Sequence, residues 1–379
     1  MAINYDHVPS PAFVLEEALL RKNLELMRYV QEASGASIIL ALKGFSMWHV
    51  FPLVGQYLKG ATASSLFEAR LIKEEMGVKA HTYAPAYKNE RFKELLKYSS
   101  HLTFNSLSQL SRFLPDIQAA PEKVSVGLRV NPEYSDVTTE MYNPCAAGSR
   151  LGILDTDLTG GLPEVVEGLH FHTLCESSAL ALEKTLESFE TRFGKYLGQL
   201  KWVNFGGGHL MTREGYDVEH LIRIIRNFKA RYDLEVILEP GSAVAWQTGV
   251  LVSEVLDIVE NKGIRTAIVD VSFTAHMPDT LEMPYRPRIT GATDPVPGKP
   301  SYRIGGVSCL AGDFMYEYSF EEPLQVGQKL IFEDMMHYTM VKTTMFNGVE
   351  HPRIAVWRPN GTLEVIREFV FEDFKGRLS

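Results

Sequence analysis

Eight short apolar runs alternate with amphipathic segments between about Pro11 and Pro240, and this alternation limits the folds open to the chain more than any other feature. Each run is typical of a strand buried on both faces, and the segments between them carry apolar residues at the three- and four-residue spacing of helices. Eight β/α units are enough to close a parallel barrel. The eight runs are SIILALK, GATASS, KAHTYAP, HLTFNS, VSVGLRVN, VEGLHFH, LKWVNFGGG and LEVILEPG.

The pattern changes after about Gly241, where short alternating runs are separated by Pro and Gly turns. This pattern predicts a β-rich domain. Within it, RPNGT at 358–362 predicts a hairpin, because Asn-Gly tolerates positive φ at both central positions. We therefore assign residues 12–242 to a (β/α)8 barrel and residues 243–379 to a β-rich domain.

Charge and cysteine content exclude several classes of protein. A net charge of −9 and a pI near 5.7 argue against nucleic acid and favour small cationic partners. No apolar run approaches the ~20 residues of a membrane span, and the N-terminal sequence lacks the pattern of a secretory signal. The three cysteines, Cys145, Cys175 and Cys309, show neither metal-ligand spacing nor a disulfide framework. We expect a cytoplasmic protein with no membrane segment, nucleic-acid partner or metal site.

Polar and glycine residues stand at the ends of the predicted barrel strands, where the chemistry of such barrels lies. Lys43 ends an apolar run, and an ammonium there must shift its pKa, find a partner or become chemically useful. The alternative is a strand-end lysine that reaches solvent. The full set is Lys43, Ser64, Ser65, Asn105, Arg129, Asn131, His170, His172, Gly206, Gly207, Gly208 and Glu239.

Four features of this set, a lysine, a glycine loop, a histidine and a carboxylate, together suggest pyridoxal phosphate. The lysine would bind the cofactor covalently, and the glycines of FGGGH would turn their N–H groups toward its phosphate. His172 would cover one face of the ring, and Glu239 would keep the ring nitrogen protonated. Taken singly, each has a simpler interpretation: the glycines form a tight turn, His172 packs in the core, and Glu239 is a loop carboxylate.

The chain resembles the barrel-type pyridoxal phosphate decarboxylases, the family that includes ornithine and diaminopimelate decarboxylases. The segments that carry the resemblance are ALKGFS, RVNP, SRLGI, HFHTLCES, WVNFGGGHLMTREGYD, EPGSA, GVSCLAGD and FEDMMHYTM, in this order along nearly the whole chain. The resemblance implies an alanine racemase-like fold of type III, with residues 1–11 joined to the β-rich domain. It also implies a head-to-tail homodimer with shared active sites.

The resemblance assigns further roles to residues of the β-rich domain. Cys309 would protonate Cα after CO₂ leaves, although a buried structural cysteine is the alternative. Tyr338 would bind the phosphate, and Asp313 would grip a substrate ammonium or only cap a turn. Arg286 would orient a carboxylate. Four more residues could face substrate or solvent, with Glu176 and Asp279 taken as substrate-binding candidates and His276 and Glu282 left open.

Departures from the family pattern indicate a long substrate. Leu310 follows Cys309 where relatives place an acidic residue, so a short diamino acid would lose its anchor while a polyamine could pass an apolar wall. Thr173, Leu174 and Ser242 also depart from the ornithine decarboxylase pattern. The resemblance thus implies decarboxylation of carboxynorspermidine and carboxyspermidine to norspermidine and spermidine. The alternatives are a diaminopimelate or ornithine decarboxylase with an altered pocket, a non-catalytic carrier of the cofactor, and a racemase.

Overall fold

The computed structural model describes residues 3–282 and 284–379, and these form two compact units. One unit is Asn23–Val244, and the other combines the residues up to Lys22 with Ala245–Ser379. The sequence pattern predicts domain boundaries at residues 12 and 242 instead. The two divisions differ at the N-terminal end because strand Ala12–Glu16 pairs with strands of the second unit. Residues 1 and 2 of the predicted segment 1–11 lie outside the described residues.

The first unit is the predicted barrel, and all of its neighbouring strands run parallel. Its first strand is split at one residue: Ser37–Ile38 pairs with the last strand and Leu40–Ala41 with the second, so this segment closes the ring. The eight predicted strands are confirmed. They are Ser37–Ile38 with Leu40–Ala41, Ala61–Ala63, Ala80–Tyr83, Ser99–Phe104, Ser125–Arg129, Val166–His170, Trp202–Asn204 and Glu235–Leu238.

Side-chain caps set the starts of the barrel helices. Ser65, Ser106, Ser178 and Asp217 each accept a hydrogen bond from the backbone N–H three residues on, which satisfies a donor that the helix leaves free. Within the described part of the chain, no helix has both the length and the apolar character that a membrane crossing requires. The longer helices of the chain are Glu17–Ser34, Leu66–Met76, Asn89–Tyr98, Leu107–Gln118, Ala179–Phe193, Val218–Tyr232 and Phe371–Leu378.

The indole of Trp202 lies across two neighbouring barrel strands. It is buried with Ile39 and Ile237, and its Nε1–H donates to Ser125 Oγ at 2.9 Å. A Cβ on Gly168 would stand 2.0 Å from Trp202 Cδ2, and one on Gly127 would stand 2.4 Å from Trp202 Cη2. Only glycine therefore leaves room for the indole at these two positions, and the large ring fills space that smaller side chains would leave empty.

The second unit contains the predicted β-rich sheet. Its longest strand, Gly249–Asn261, pairs at one end with Ala12–Glu16 and Lys329–Glu333, and at the other end with Ile264–Val269. The prediction of a β-rich domain is confirmed. The other strands are Ala292–Thr293, Ser301–Gly305, Phe314–Phe320, Arg353–Trp357 and Leu363–Arg367.

The hairpin predicted at RPNGT joins Arg353–Trp357 to Leu363–Arg367. Arg358 N–H donates to Thr362 O at 2.8 Å across the turn. Of the two central residues of this turn, only Gly361 has a positive φ, with a value of 85°. The side chain of Asn360 instead accepts hydrogen bonds from the N–H and the Oγ1–H of Thr362. The hairpin is thus confirmed, but the predicted reason, positive φ at both central residues, is wrong because the asparagine side chain holds the turn.

We expect Gly168→Ala to destabilise the barrel by about 2 kcal/mol or more, because its Cβ would overlap the Trp202 ring. The free energy of unfolding from urea titration measures the effect. Gly160→Ala is the matched control, since a Cβ there meets no atom within 4 Å. Equal stability of the two variants would contradict the packing role of Trp202.

Candidate active site

Lys43 lies in a turn just after the strand Leu40–Ala41, at the carboxyl end of the barrel strands. Its Nζ lies 3.3 Å from Nε2 of His172. Solvent reaches the side chain, yet the surrounding strand ends desolvate the amine and lower its pKa, and the positive charge of Arg129 lowers the pKa further. A lysine with a lowered pKa offers a neutral, nucleophilic amine closer to neutral pH.

The tautomer of His172 follows from its hydrogen bonds. Gly207 N–H donates to Nδ1 at 2.9 Å, so this nitrogen carries a lone pair. Desolvation and the charge of Lys43 hold the pKa of His172 well below its usual value, so the ring is neutral and its proton resides on Nε2. The Nε2–H therefore faces Lys43 Nζ as a donor, which favours the unprotonated amine.

Arg129 ends the neighbouring strand Ser125–Arg129 and is buried. Its Nη2 donates to the backbone carbonyl of His172 at 3.1 Å, and its guanidinium carbon lies 4.7 Å from the centre of the Tyr83 ring. The carbonyl and the aromatic face compensate its charge only in part. Arg129 is thus a fixed cation that acts on Lys43 and His172 alike.

The three glycines predicted to hold a phosphate are required by packing. A Cβ would lie 2.5 Å from Phe171 O at Gly206, 2.4 Å from Glu239 O at Gly207 and 2.2 Å from Leu174 O at Gly208. Gly206 and Gly208 also have φ of 69° and 88°. The N–H groups of Gly206 and Gly207 donate to Asn204 Oδ1 and His172 Nδ1, so two of the three predicted phosphate donors are engaged within the protein. A phosphate role for this loop stays a prediction.

Asn204 connects Glu239 to the glycine loop. Its Nδ2 donates to Glu239 Oε1 at 2.7 Å, and its Oδ1 accepts Gly206 N–H at 2.8 Å. Glu239 is buried, and desolvation raises the pKa of its carboxyl, although the Asn204 bond opposes that rise. One amide therefore fixes both the carboxylate and the loop beside it.

His170 lies next to Glu239, with 3.6 Å between His170 Nε2 and Glu239 Oε2. Burial holds the pKa of His170 well below its usual value, so the ring is neutral there. Donor atoms of His170, His172 and Glu239 lie within 4.8 Å of one another, a spacing that would also suit a metal ion. Both ring nitrogens of His172 are already engaged, one by Gly207 N–H and one by Lys43. At most two of these three residues, His170 and Glu239, could therefore bind a metal ion without displacing such a partner.

The second unit carries the other predicted residues. Cys309 is exposed, and its backbone N–H donates to Asn347 Oδ1 at 2.7 Å. Asp313 is buried, and its carboxylate accepts hydrogen bonds from within the unit. These hydrogen bonds would compete with the predicted contact between Asp313 and the substrate. That contact stays a prediction.

Asp279 is also buried, and its Oδ2 accepts the hydroxyl groups of Tyr285 at 2.9 Å and Thr339 at 2.8 Å. Its Oδ1 has no hydrogen-bond partner among the described residues. An unsatisfied buried carboxylate oxygen is costly, so this atom is available to a cation. The arrangement is compatible with the predicted substrate contact of Asp279.

Arg286 and Tyr338 are held in different ways. Arg286 donates to Glu317 O, pairs with Asp294 at 3.1 Å and lies over the Tyr318 ring at 4.1 Å, so its guanidinium is engaged within the unit. Tyr338 is half-buried with a φ of 51°. Their roles toward a carboxylate and a phosphate stay predictions, as does that of Glu176, which is exposed with a φ of 52°.

The sequence patterns assign no individual role to three residues of the site, Arg129, Asn204 and Asn347. Arg129 stands in the set of polar strand ends, which is the signal that could have selected it. Asn204 ends the strand Trp202–Asn204, two residues before the first glycine, and the same strand-end rule applied there would have found it. Asn347 accepts a hydrogen bond from Cys309, which lies 38 residues earlier in the chain. No sequence pattern indicates a contact at that separation.

Comparisons with known proteins agree with this geometry. The sequence model of the family described as "Pyridoxal-dependent decarboxylase, C-terminal sheet domain" matches residues 12–336. Carboxyaminopropylagmatine decarboxylase from Synechocystis sp. is 53% identical over 372 residues, which cover 98% of this chain and 96% of the relative. Carboxynorspermidine/carboxyspermidine decarboxylase from Campylobacter jejuni is 47% identical over 384 residues, which cover 98% of this chain and 99% of the relative.

Two solved structures have the same architecture. Carboxynorspermidine decarboxylase from Campylobacter jejuni, complexed with norspermidine, superposes with a TM-score of 0.91 at 46% identity, over 98% of this chain and 100% of that chain. Diaminopimelate decarboxylase from Helicobacter pylori, complexed with L-lysine, superposes with a TM-score of 0.83 over 98% of both chains. At 17% identity, the second likeness concerns the fold alone.

We expect Arg129→Gln to raise the pKa of Lys43, because it removes the positive charge that disfavours the ammonium. The pH midpoint for covalent attachment of pyridoxal phosphate to the apoprotein should then move to higher pH. Absorbance of the protein-bound cofactor, followed at a series of pH values, gives this midpoint.

Arg129→Lys is the control, since it keeps the positive charge. Its midpoint should remain close to that of the unchanged protein. An equal shift in the Gln and Lys variants would show that the geometry of the guanidinium, and not its charge, acts on Lys43.

Proposed function

Because the chain belongs to the pyridoxal-dependent decarboxylase family, we propose that it decarboxylates carboxynorspermidine and carboxyspermidine to norspermidine and spermidine. Family membership makes it a pyridoxal phosphate-dependent carboxy-lyase. The choice of substrate is supported by the full-length likeness to the Campylobacter jejuni enzyme that is named for both compounds. The observation that carries the chemistry is the neutral His172 ring held 3.3 Å from the Lys43 amine.

The barrel residues fit the cofactor. Lys43 would hold it covalently, His172 would face its ring, and Glu239 would meet the ring nitrogen, while the Gly208 N–H, Ser242 and Tyr338 would bind its phosphate. When bound, pyridoxal phosphate supplies an electron-poor ring that accepts the electrons left on Cα as CO₂ departs.

The residues of the barrel prepare the site before the substrate binds. Desolvation and Arg129 keep the Lys43 amine closer to its neutral form, so it can act as a nucleophile and later take back a proton. His172 keeps its Nε2–H toward this amine because Gly207 occupies Nδ1. Asn204 holds Glu239 in one orientation, so the carboxyl does not turn away from the ring nitrogen.

Cys309 would deliver the proton that replaces CO₂ on Cα. Its exposure in the second unit is compatible with this role. We propose that the protein acts as a head-to-tail homodimer, in which each barrel site is completed by Cys309 of the partner subunit. A cytoplasmic location, inferred from the scattered cysteines, completes the proposal.

The substrate is long and cationic, and Asp279 of the second unit is a candidate for binding one of its ammonium groups. Asp279 has a buried oxygen without a partner among the described residues, which favours it. The Synechocystis relative is named for a substrate that ends in a guanidinium, and its 53% identity supports carboxyaminopropylagmatine as a second candidate. A guanidinium would pair with a carboxylate through two parallel bonds, whereas an ammonium acts as a point charge.

Turnover of a substrate panel tests the proposed specificity. We expect kcat/KM for carboxynorspermidine and carboxyspermidine to exceed that for diaminopimelate and ornithine by about 100-fold or more, because Leu310 offers a short substrate no anchor. Release of CO₂ by the purified protein with pyridoxal phosphate is the measurement. A clear preference for carboxyaminopropylagmatine would select the second candidate, and a preference for diaminopimelate would reject both.

Two inactive variants test the shared site. Lys43→Ala should abolish turnover, and Cys309→Ala should lower kcat by roughly 100-fold, the lower range for losing a general acid. In a head-to-tail dimer, mixing them after subunit exchange should restore about a quarter of the unchanged activity, because half the dimers are mixed and each has one complete site. Activity of the mixture no higher than that of the separate variants would exclude shared sites.

A further inference from the structure

The cysteine loop, defined here as residues 306–313, is closed by its own backbone. Gly306 N–H donates to Asp313 O at 2.7 Å, and Asp313 N–H donates to Leu310 O at 2.9 Å. Cys309 lies between these bonds and is exposed, while Asp313 is 4% exposed. The loop therefore presents its thiol outward and its carboxylate inward.

The Asp313 carboxylate accepts four hydrogen bonds, two on each oxygen. Oδ2 accepts Ser308 N–H at 3.1 Å and Ser308 Oγ–H at 2.6 Å, both from the cysteine loop. Oδ1 accepts Phe273 N–H at 2.7 Å and Thr274 N–H at 3.2 Å, at the start of the helix Phe273–His276. A carboxylate has about four acceptor positions, so this one is saturated.

The Asp313 carboxylate also has little free space around it. A Cβ on Gly306 would stand 2.4 Å from Asp313 Oδ2, so the loop closes on the carboxylate with no room to spare. On its other side, the loop is held by Asn347, whose Oδ1 accepts Cys309 N–H. The residue that carries the thiol is thus held directly by Asn347 and indirectly by Asp313 through Ser308.

We propose that Asp313 is a positioning residue for Cys309, and that it does not bind the substrate. A substrate ammonium could reach the carboxylate only by displacing one of its four donors, three backbone N–H groups and the Ser308 hydroxyl, and the displaced donor would lose its hydrogen-bond partner. The carboxylate instead joins the cysteine loop to Phe273 and Thr274, so the thiol keeps one location relative to its own unit. The inference rests on the proposed role of Cys309 as proton donor.

Asp313→Asn tests this role, because the amide nitrogen that replaces one carboxylate oxygen cannot accept the two hydrogen bonds that this oxygen accepts. We expect kcat to fall by about 10-fold or more with KM changed less than about threefold, since proton delivery is impaired while binding is kept. Amide hydrogen exchange of a peptide that spans the cysteine loop should also accelerate. Asp270→Asn is the matched control, an aspartate of the same unit that accepts Ser253 Oγ–H and Glu254 N–H, and it should change neither quantity.

The same substitution in a Cys309→Ser background separates positioning from substrate binding. If Asp313 acts through Cys309, Asp313→Asn should change kcat by less than about twofold once the thiol is gone. A rise in KM of about tenfold that persists in the Cys309→Ser background would assign Asp313 to the substrate and overturn the proposal. An unchanged kcat for Asp313→Asn would overturn it as well.

Ser308→Ala is a second variant for the case that Asp313→Asn folds poorly. It removes the 2.6 Å bond to Asp313 but leaves the link to Phe273 and Thr274, so a smaller fall in kcat is expected. Cys309→Ser is measured alone in the same series. Turnover of that variant at the unchanged rate would refute the role of Cys309 in the proposed function, whereas additive losses in kcat would refute the positioning role only.

Discussion

Closure of the barrel is the constraint on which the site depends. Residues 37–41 pair with the last strand and with the second, and Ala41 N–H then donates to Pro240 O at 3.0 Å. A Cβ on Gly44 would stand 2.7 Å from Gly241 Cα, so the two turns that follow these strands touch through their backbones. Because of this closure, Lys43 and Glu239 enter the same barrel mouth although 195 residues separate them, and no local interaction could place them together.

Burial then drives the titrating side chains of this mouth toward their neutral forms. The pKa of Lys43, His170 and His172 is lowered and that of Glu239 is raised, and desolvation is the largest cause in each case. Arg129 is the permanent cation among them, and it strengthens the effect on the lysine and on both histidines. A site prepared in this way offers a neutral amine, and a charged ligand could bind without first breaking strong internal ion pairs.

The sequence predicted what depends on periodicity and on strand ends. The eight strands, the change to a β-rich unit and the place of Lys43 follow from local patterns, because a buried parallel strand leaves a short apolar run and its end must carry the polar residues. Hydrogen-bond partners distant along the chain leave no such pattern. Only the folded structure shows that the Asn204 amide joins Glu239 to Gly206 and that Cys309 N–H donates to Asn347. The hairpin shows the same limit, since its location was predictable but the side-chain bonds of Asn360 were not.

The orientation of the cysteine loop also bears on substrate length. Its one carboxylate, on Asp313, points inward and is saturated, whereas Leu310 next to the thiol is 47% exposed. The outer surface beside Cys309 therefore offers an apolar side chain where a short diamino acid would need a charge for its second ammonium. Under the proposed function, a longer polyamine would extend past this surface, and the buried Asp279 Oδ1, which has no partner among the described residues, is the proposed contact for one of its ammonium groups. On this proposal, selection for substrate length would follow from the inward position of the Asp313 carboxylate, because the hydrogen bonds that hold the cysteine loop also keep this charge from the substrate.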